Sequence, residues 1–259
     1  MSEFAHIKYQ IKDRVARITF ARPPLNVFNI AMMREIAKAL DRCGEERDVV
    51  TIVFAAGEGS KGFSAGVAVE EHVAETVFQM LDSFHNIFRI LNQISKPAIA
   101  VVDGPALGGG CELVAACDIV IASDRSRFGQ PEIKLGVFPP VAAILLTRII
   151  GEKKAREMIL LGEMIDAHEA LSLGLVNYVV PAKELEQKTA SVLAKLRELS
   201  SSSVGMTHTA LELGAAGGNL NSALERLENH YLNELMKTED ALEGVRAYLE
   251  KRKPVWKNK

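Results

Sequence analysis

Two carboxylates and two glycine-bearing turns are the residues of this 259-residue chain whose types and spacing can do chemistry. In GPALGGGCEL, residues 104–113, three consecutive glycines (Gly108, Gly109, Gly110) stand directly before Cys111 and Glu112. Glycine loses more conformational freedom on ordering than any other residue, so a run of three needs a backbone reason. The segment follows the apolar run AIAVVD and opens another, as a strand-to-helix turn would. Such a turn leaves helix N-terminal N–H groups unpaired and pointing outward. GEGSKGFSAGVAV, residues 57–69, occupies the same place after VVTIVFAA. Twenty residues beyond Glu112, FGQPEIKLG sets Glu132 just after Pro131. Backbone donors converging on one oxygen, beside two carboxylates, would polarise a carbonyl and supply acid–base chemistry next to it.

Each piece also has a plainer reading. A phosphate cradle would need G-x-G-x-x-G spacing or a Lys-Ser/Thr after the glycines, and the run Gly108–Gly110 has neither. One such turn alone is as well explained by tight helix–strand packing; two in equivalent places favour a donor pair. Glu112 could simply suit its helix N-terminus, and Glu132 could pair with Lys134 or an arginine at the surface.

The elements that must hold these residues are legible in outline. IKYQIKDRVARITFAR alternates around Lys12-Asp13-Arg14 and predicts a β-hairpin. Residues 29–43 have helical spacing with Asn29 as N-cap. The β-branched apolar runs 49–56, 98–104 and 118–123 predict buried strands, with a long helix over 71–93 between the first two. From Val141 onward, short helices broken at Gly151, Gly162 and Gly174 are expected, then a strand in VNYVVP and an amphipathic helix over 182–199. SSSV (201–204) predicts a hinge, followed by helices over 204–216, 219–236 and 239–252. Strands interleaved with helices, then helices alone, define an α/β core with a helical C-terminal subdomain.

Composition narrows the function classes. The chain is 48% hydrophobic and 25% charged, with a net charge of −2, ordinary for a folded soluble chain. It lacks the basic stripe expected of a nucleic-acid binder. No apolar run reaches the roughly 18 residues of a membrane span, and MSEFAHIKYQ has no signal-peptide pattern, so a cytoplasmic protein is expected. Cys43, Cys111 and Cys117 form no metal-ligand spacing and predict buried thiols in a reducing compartment.

KPAIAVVDGPALGGGCELVAACDIVIAS followed by RFGQPEIKLGVFP closely resembles the central signature of the crotonase (enoyl-CoA hydratase/isomerase) superfamily. FSAG upstream, GEKKAREMILLGEMIDAHEALSLGLVNYVV downstream and EDALEGVRAYLEKRKPVW near the end extend the resemblance over nearly the whole chain. It implies a spiral of ββα units (the ClpP/crotonase fold) over residues 1–200. A helical trimerisation subdomain over 201–259 would build a trimer or a hexamer of two trimers. It implies a coenzyme A thioester as substrate, no metal, no tightly bound cofactor, no nucleic acid and no membrane. The thioester carbonyl would accept from the amides of Val67 and Gly109. Glu112 would orient and deprotonate a water, and Glu132 would give a proton to the α-carbon, with one carboxyl pKa raised by the other's charge. Lys61, Phe63, Ser64, Ala65, Ala68, Val69, Glu70 and Gly108 would lie along the bound thioester. Presence of both glutamates favours a hydratase over an isomerase; a thioester hydrolase and an RNA-binding relative are the alternatives.

Two stretches depart from the usual pattern. Ala68 replaces a common Asp, with Glu70, Glu71 and His72 after it. Pro139-Pro140-Val141-Ala142-Ala143 replaces Pro-Gly and further glycines. His72, Pro139, Pro140 and Val141 are therefore expected to shape the acyl pocket, though for His72 a solvated helix-start residue is the plainer reading. Phe84 and Phe88 are expected in the core or at the acyl-pocket wall. The combination is similar to cyclohexa-1,5-diene-1-carbonyl-CoA hydratases of aromatic degradation, which implies a cyclic dienoyl substrate.

Overall fold

Asp13 and Arg14 both take positive φ, 48° and 65°, as a two-residue hairpin turn demands. They join β1 (Ile7–Lys12) to β2 (Val15–Phe20) in the computed structural model, which describes residues 3–259. In α1 (Ile30–Glu45) the Asn29 side chain accepts the Met32 N–H at 3.0 Å, closing the first turn. The chain then runs through β3 (Thr51–Ala56), α2 (Val77–Gln93), β4 (Ala98–Val102), β5 (Pro105–Leu107) and α3 (Gly109–Ala115). β6 (Ile119–Ser123), β7 (Arg127–Gly129), α4 (Pro140–Ile149), α5 (Glu152–Leu161), β8 (Met164–Asp166) and α6 (Ala167–Ser172) follow. The last elements are β9 (Tyr178–Val180), α7 (Leu185–Arg197), α8 (Ser201–Ala215), α9 (Leu220–Asn233) and α10 (Glu239–Leu249).

The larger sheet has the order β1-β2-β3-β4-β6-β9 and is parallel from β2 onward. Parallel strands are covered on both faces, so β3 and β4 read as continuous apolar runs. Ile52 and Phe54 point into the main core, which includes Met33, Ile36 and Leu40 of α1. Val53, Ala55, Ile99, Val101 and Ile121 point the other way, onto Leu185, Val192 and Leu193 of α7.

A second sheet, β5-β7-β8, forms alongside, and a parallel bridge from Ser64 to Ala106 extends it by one position. Each turn of the chain therefore visits the large sheet, then the small one, then a helix. The turns are β3–Ser64–α2, β4–β5–α3, and β6–β7 followed by a 3-10 turn at Pro131–Leu135. This is the spiral of ββα units that the resemblance implies, with a helical C-terminal part after it.

Three expectations need correction. The helix expected over 71–93 begins at Val77, because Val69–Glu71 is a 3-10 turn and the Glu71 carboxylate is occupied in accepting the Ile30 N–H at 2.9 Å. SSSV is no hinge. Ser200 Oγ caps α8 by accepting the Ser203 N–H, and Ser201 Oγ donates to the Arg47 carbonyl at 2.6 Å. The stretch Met164–Asp166, read as part of a helical run, is strand β8. Among the described residues, no helix is long and apolar enough to cross a membrane.

Candidate active site

The spiral delivers one candidate site residue per turn at the same end of the small sheet. Val67 follows Ser64, Gly109 follows β5, and Glu132 follows β7. Paired strands lie ~4.8 Å apart, so residues 42 and 23 positions apart in sequence become neighbours. The glycines permit the contact. A Cβ on Gly66 (φ +97°) would stand 2.9 Å from the Leu107 carbonyl oxygen and 3.2 Å from the Gly109 nitrogen. On Gly109 it would meet Phe84 Cζ at 2.8 Å and Val67 Cγ2 at 2.9 Å. On Gly108, which has φ +51°, it would fall 2.6 Å from Glu132 Oε1, and on Gly110 it would fall 2.7 Å from the Ser64 carbonyl oxygen. The three glycines thus answer to three different neighbours. Among the described residues, neither the Val67 nor the Gly109 amide donates to a protein acceptor, whereas Ala65, Ala68 and Gly108 all do.

The turn that carries Val67 is held from beneath. Ser64 Oγ donates to the Asn26 carbonyl at 2.8 Å and accepts the Gly66 N–H at 3.1 Å. Asn26 Nδ2 in turn donates to the Phe63 carbonyl at 3.1 Å, and the Phe63 ring packs edge-on against Phe20 at 5.1 Å.

Glu112 lies in the first turn of α3 with only 3% of its surface exposed. Its Oε1 accepts the Ala142 N–H at 2.8 Å, and the Val141 N–H also supports the charged form. Burial nevertheless pushes its carboxyl up to about 7, aided by the charge of Glu132. Glu132, in the 3-10 turn, is also pushed up to about 7, by burial. Two backbone donors on Glu112 favour placing the negative charge there and the proton on Glu132. Neither carboxylate forms an ion pair among the described residues, so the surface pairing with Lys134 does not occur. Fully buried Gln130, with its amide nitrogen turned to the acceptors beside it, places that nitrogen 3.2 and 3.3 Å from the two Glu132 oxygens. Its amide also meets the Cys111 thiol, which burial holds well above its usual range.

These raised values have a stability consequence with a definite sign. Both carboxyls hold a proton more tightly in the folded chain than in the unfolded one, where glutamate titrates near 4.5. The folded state therefore binds more protons between about 4.5 and 7, and stability falls as pH rises through that window and then levels. Glu112→Gln and Glu132→Gln should each lose less Tm than the parent between pH 5 and pH 8. Equal losses by calorimetry would dismiss the carboxyl pair as the cause.

A cavity of about 520 Å³ opens over this pair. Ala65, Val67, Gly108, Gly109, Glu112 and Glu132 form its polar floor, and Val69, His72, Phe84, Pro139 and Pro140 contribute to its wall. Lys61 and Glu70 are exposed and outside it, while Phe63, Ser64 and Ala68 are buried in the support of the turn. Phe88, expected in the core or at the acyl wall, packs against the main core and edge-on to Phe84 at 5.0 Å, one helical turn away, and lines a second cavity of about 390 Å³. Val141 likewise turns its side chain to that second cavity and only its N–H toward Glu112. Val77, Met80 and Leu81 join Phe84 in the wall, as do Leu135, Val137 and Phe138. The spacing 77, 80, 81, 84 is one helical face, a signal available in the sequence. Gln130 gave no such signal, because its role appears only once β7 sets it under Glu132.

Residues 10–259 match the family model described as Enoyl-CoA hydratase/isomerase. The chain is 38% identical over 258 residues to a protein of Dictyostelium discoideum named probable enoyl-CoA hydratase, mitochondrial (96% of this chain, 89% of that one). It is 34% identical to the cyclohexa-1,5-dienecarbonyl-CoA hydratase of Thauera aromatica, over 94% of this chain and 93% of the other. A crystal structure from Geobacillus kaustophilus, titled as an enoyl-CoA hydratase subunit, superposes with a TM-score of 0.90 at 33% identity, covering 100% of both chains. The chain belongs to the enoyl-CoA hydratase/isomerase family of crotonase-fold enzymes.

Proposed function

We propose that this chain is a hydro-lyase that adds water across the α,β double bond of an enoyl-CoA thioester. The observation that carries the reading is two unengaged backbone amides, on Val67 and Gly109, set beside a buried and a half-buried carboxyl, both pushed up to about 7 by burial. In this reading the thioester carbonyl accepts from both amides, which draws electron density from the double bond. A water held between the glutamates loses a proton to Glu112 as its oxygen bonds the β-carbon. The resulting enolate is stabilised by the two amides until protonated Glu132 delivers its proton to the α-carbon. One H and one OH are added, and passage of the proton from Glu112 to Glu132 resets the pair. Acid, base and oxyanion donors all come from the chain, so the scheme uses no metal and no cofactor besides the coenzyme A of the substrate.

The Pro139-Pro140 wall and the Thauera relative support a cyclic dienoyl thioester as the finer reading of the acyl group. The deciding experiment is mass spectrometry after incubation with crotonyl-CoA and, separately, cyclohexa-1,5-diene-1-carbonyl-CoA. A gain of one water on the ring alone supports the cyclic substrate, and a gain on crotonyl-CoA supports a general hydratase. Double-bond migration without water gain on either would replace the hydratase reading with an isomerase.

We also propose a trimer, or a pair of trimers, built through the C-terminal helices. Leu220, Leu232, Tyr248 and Leu249 are more than 60% exposed in the single chain, an apolar surface suited to burial between subunits. Sedimentation should give three or six times 28.3 kDa; a monomer at micromolar concentration would exclude the assembly.

A further inference from the structure

We propose that His72 selects acyl groups that carry a hydroxyl beyond the reacting carbons. The inference rests on reading the 520 Å³ cavity as the acyl site. His72 ends the 3-10 turn Val69–Glu71, and its Nδ1 lies 2.9 Å from the Ala68 carbonyl oxygen. A carbonyl only accepts, so the proton of that hydrogen bond is on Nδ1 and the tautomer is fixed. The turn is pinned on both sides. The Ala68 N–H donates to the Phe28 carbonyl at 2.9 Å, the Glu71 carboxylate accepts the Ile30 N–H, and Thr76 Oγ1 donates to the Glu71 carbonyl at 2.9 Å. The ring is therefore held at one place in the cavity wall.

Its other nitrogen, Nε2, has no protein partner among the described residues and is not sealed from solvent. The ring shares its wall with Val69, Val77 and Leu81. Among the described residues, the only other ionisable side chains lining the cavity are Glu112, Glu132 and Lys134. The glutamates serve the reacting carbons, and the Lys134 stem runs against Gly162 at the end of α5. Nε2 is thus a fixed polar atom offered to the distal acyl group. A plain alkyl chain laid over it would strip its water and return nothing. A hydroxyl can donate to the bare nitrogen, whereas a carboxylate or ketone has no proton to give it.

The test uses saturated thioesters, which cannot be hydrated: butanoyl-, pentanoyl- and hexanoyl-CoA against their 4-, 5- and 6-hydroxy counterparts, titrated calorimetrically. At least one hydroxylated chain should bind the wild-type protein about tenfold more tightly than its parent. That ratio should fall to one or below in His72→Phe and be partly kept in His72→Gln. If no hydroxylated chain is preferred by the wild type, or if the preference survives in His72→Phe, the proposal is overturned. The wild-type comparison decides without any variant, should one fail to fold. Water uptake by crotonyl-CoA and by cyclohexa-1,5-diene-1-carbonyl-CoA is followed in parallel, and turnover means a gain of water on either. Preference without turnover would sink the hydratase reading and keep this one, and turnover without preference the reverse.

Discussion

Glu132→Gln should lower kcat for water addition to a 2-enoyl-CoA by roughly 1,000-fold, within the span typical of a lost general acid, while KM moves only a few-fold. The substitution keeps the shape of the side chain and leaves an acceptor for the Gln130 amide, which lies 3.2 Å from Glu132. What it removes is the one proton that the scheme places on the α-carbon. Folding should not suffer, because burial already works against the charge of this carboxyl. The Tm at pH 8 should hold or rise. Steady-state kinetics with circular dichroism on the same sample would check both halves, and retention of more than a tenth of the activity would remove Glu132 from the chemistry. Loss of hydration with double-bond migration intact would point to Glu112 acting alone, as an isomerase would use it.

Gly109→Ala addresses the other half of the machinery. The new methyl would sit 2.8 Å from Phe84 Cζ and 2.9 Å from Val67 Cγ2, so it pushes apart the two turns whose amides must converge. Loss of one oxyanion donor typically costs ~100–1,000-fold in rate, about 3–4 kcal/mol. Overpacking of this kind costs ~1–3 kcal/mol of stability. The expected signature is therefore a fall in kcat of at least 100-fold in a protein that still folds. Phe84→Leu in the same background removes one of the two clashes and should restore part of the rate. A Gly109→Ala enzyme within tenfold of the parent would mean that this amide does not carry charge development.

The sequence shows the large sheet, because β3 and β4 are buried on both faces and must be written in apolar residues from end to end. It shows Asn29, Gly109 and Glu112 because capping, close backbone approach and a carboxylate in an apolar run each leave a local mark. The small sheet leaves none. β5, β7 and β8 are three residues each, too short for a period of two to declare itself, and their pairing is wholly long-range. The same reason hides Gln130, whose partner Glu132 is near in sequence but is brought within reach by the turn after β7. Val141 is hard to place for a related reason: a pocket wall is a matter of which side of an element faces in, and its side chain lies on the far side.

The small sheet has a consequence for how such an enzyme can change. Val67, Gly109 and Glu132 each lie two or three residues beyond a paired position of the small sheet, so their mutual spacing starts from the backbone repeat of that sheet. The stretches that wall the cavity, 69–81 and 133–140, are excursions that follow two of those fixed marks. Lengthening, stiffening or repainting an excursion re-cuts the acyl mould without moving the reacting groups. A change of substrate in this architecture is thus a change of lining, made one segment at a time against a scale that stays still.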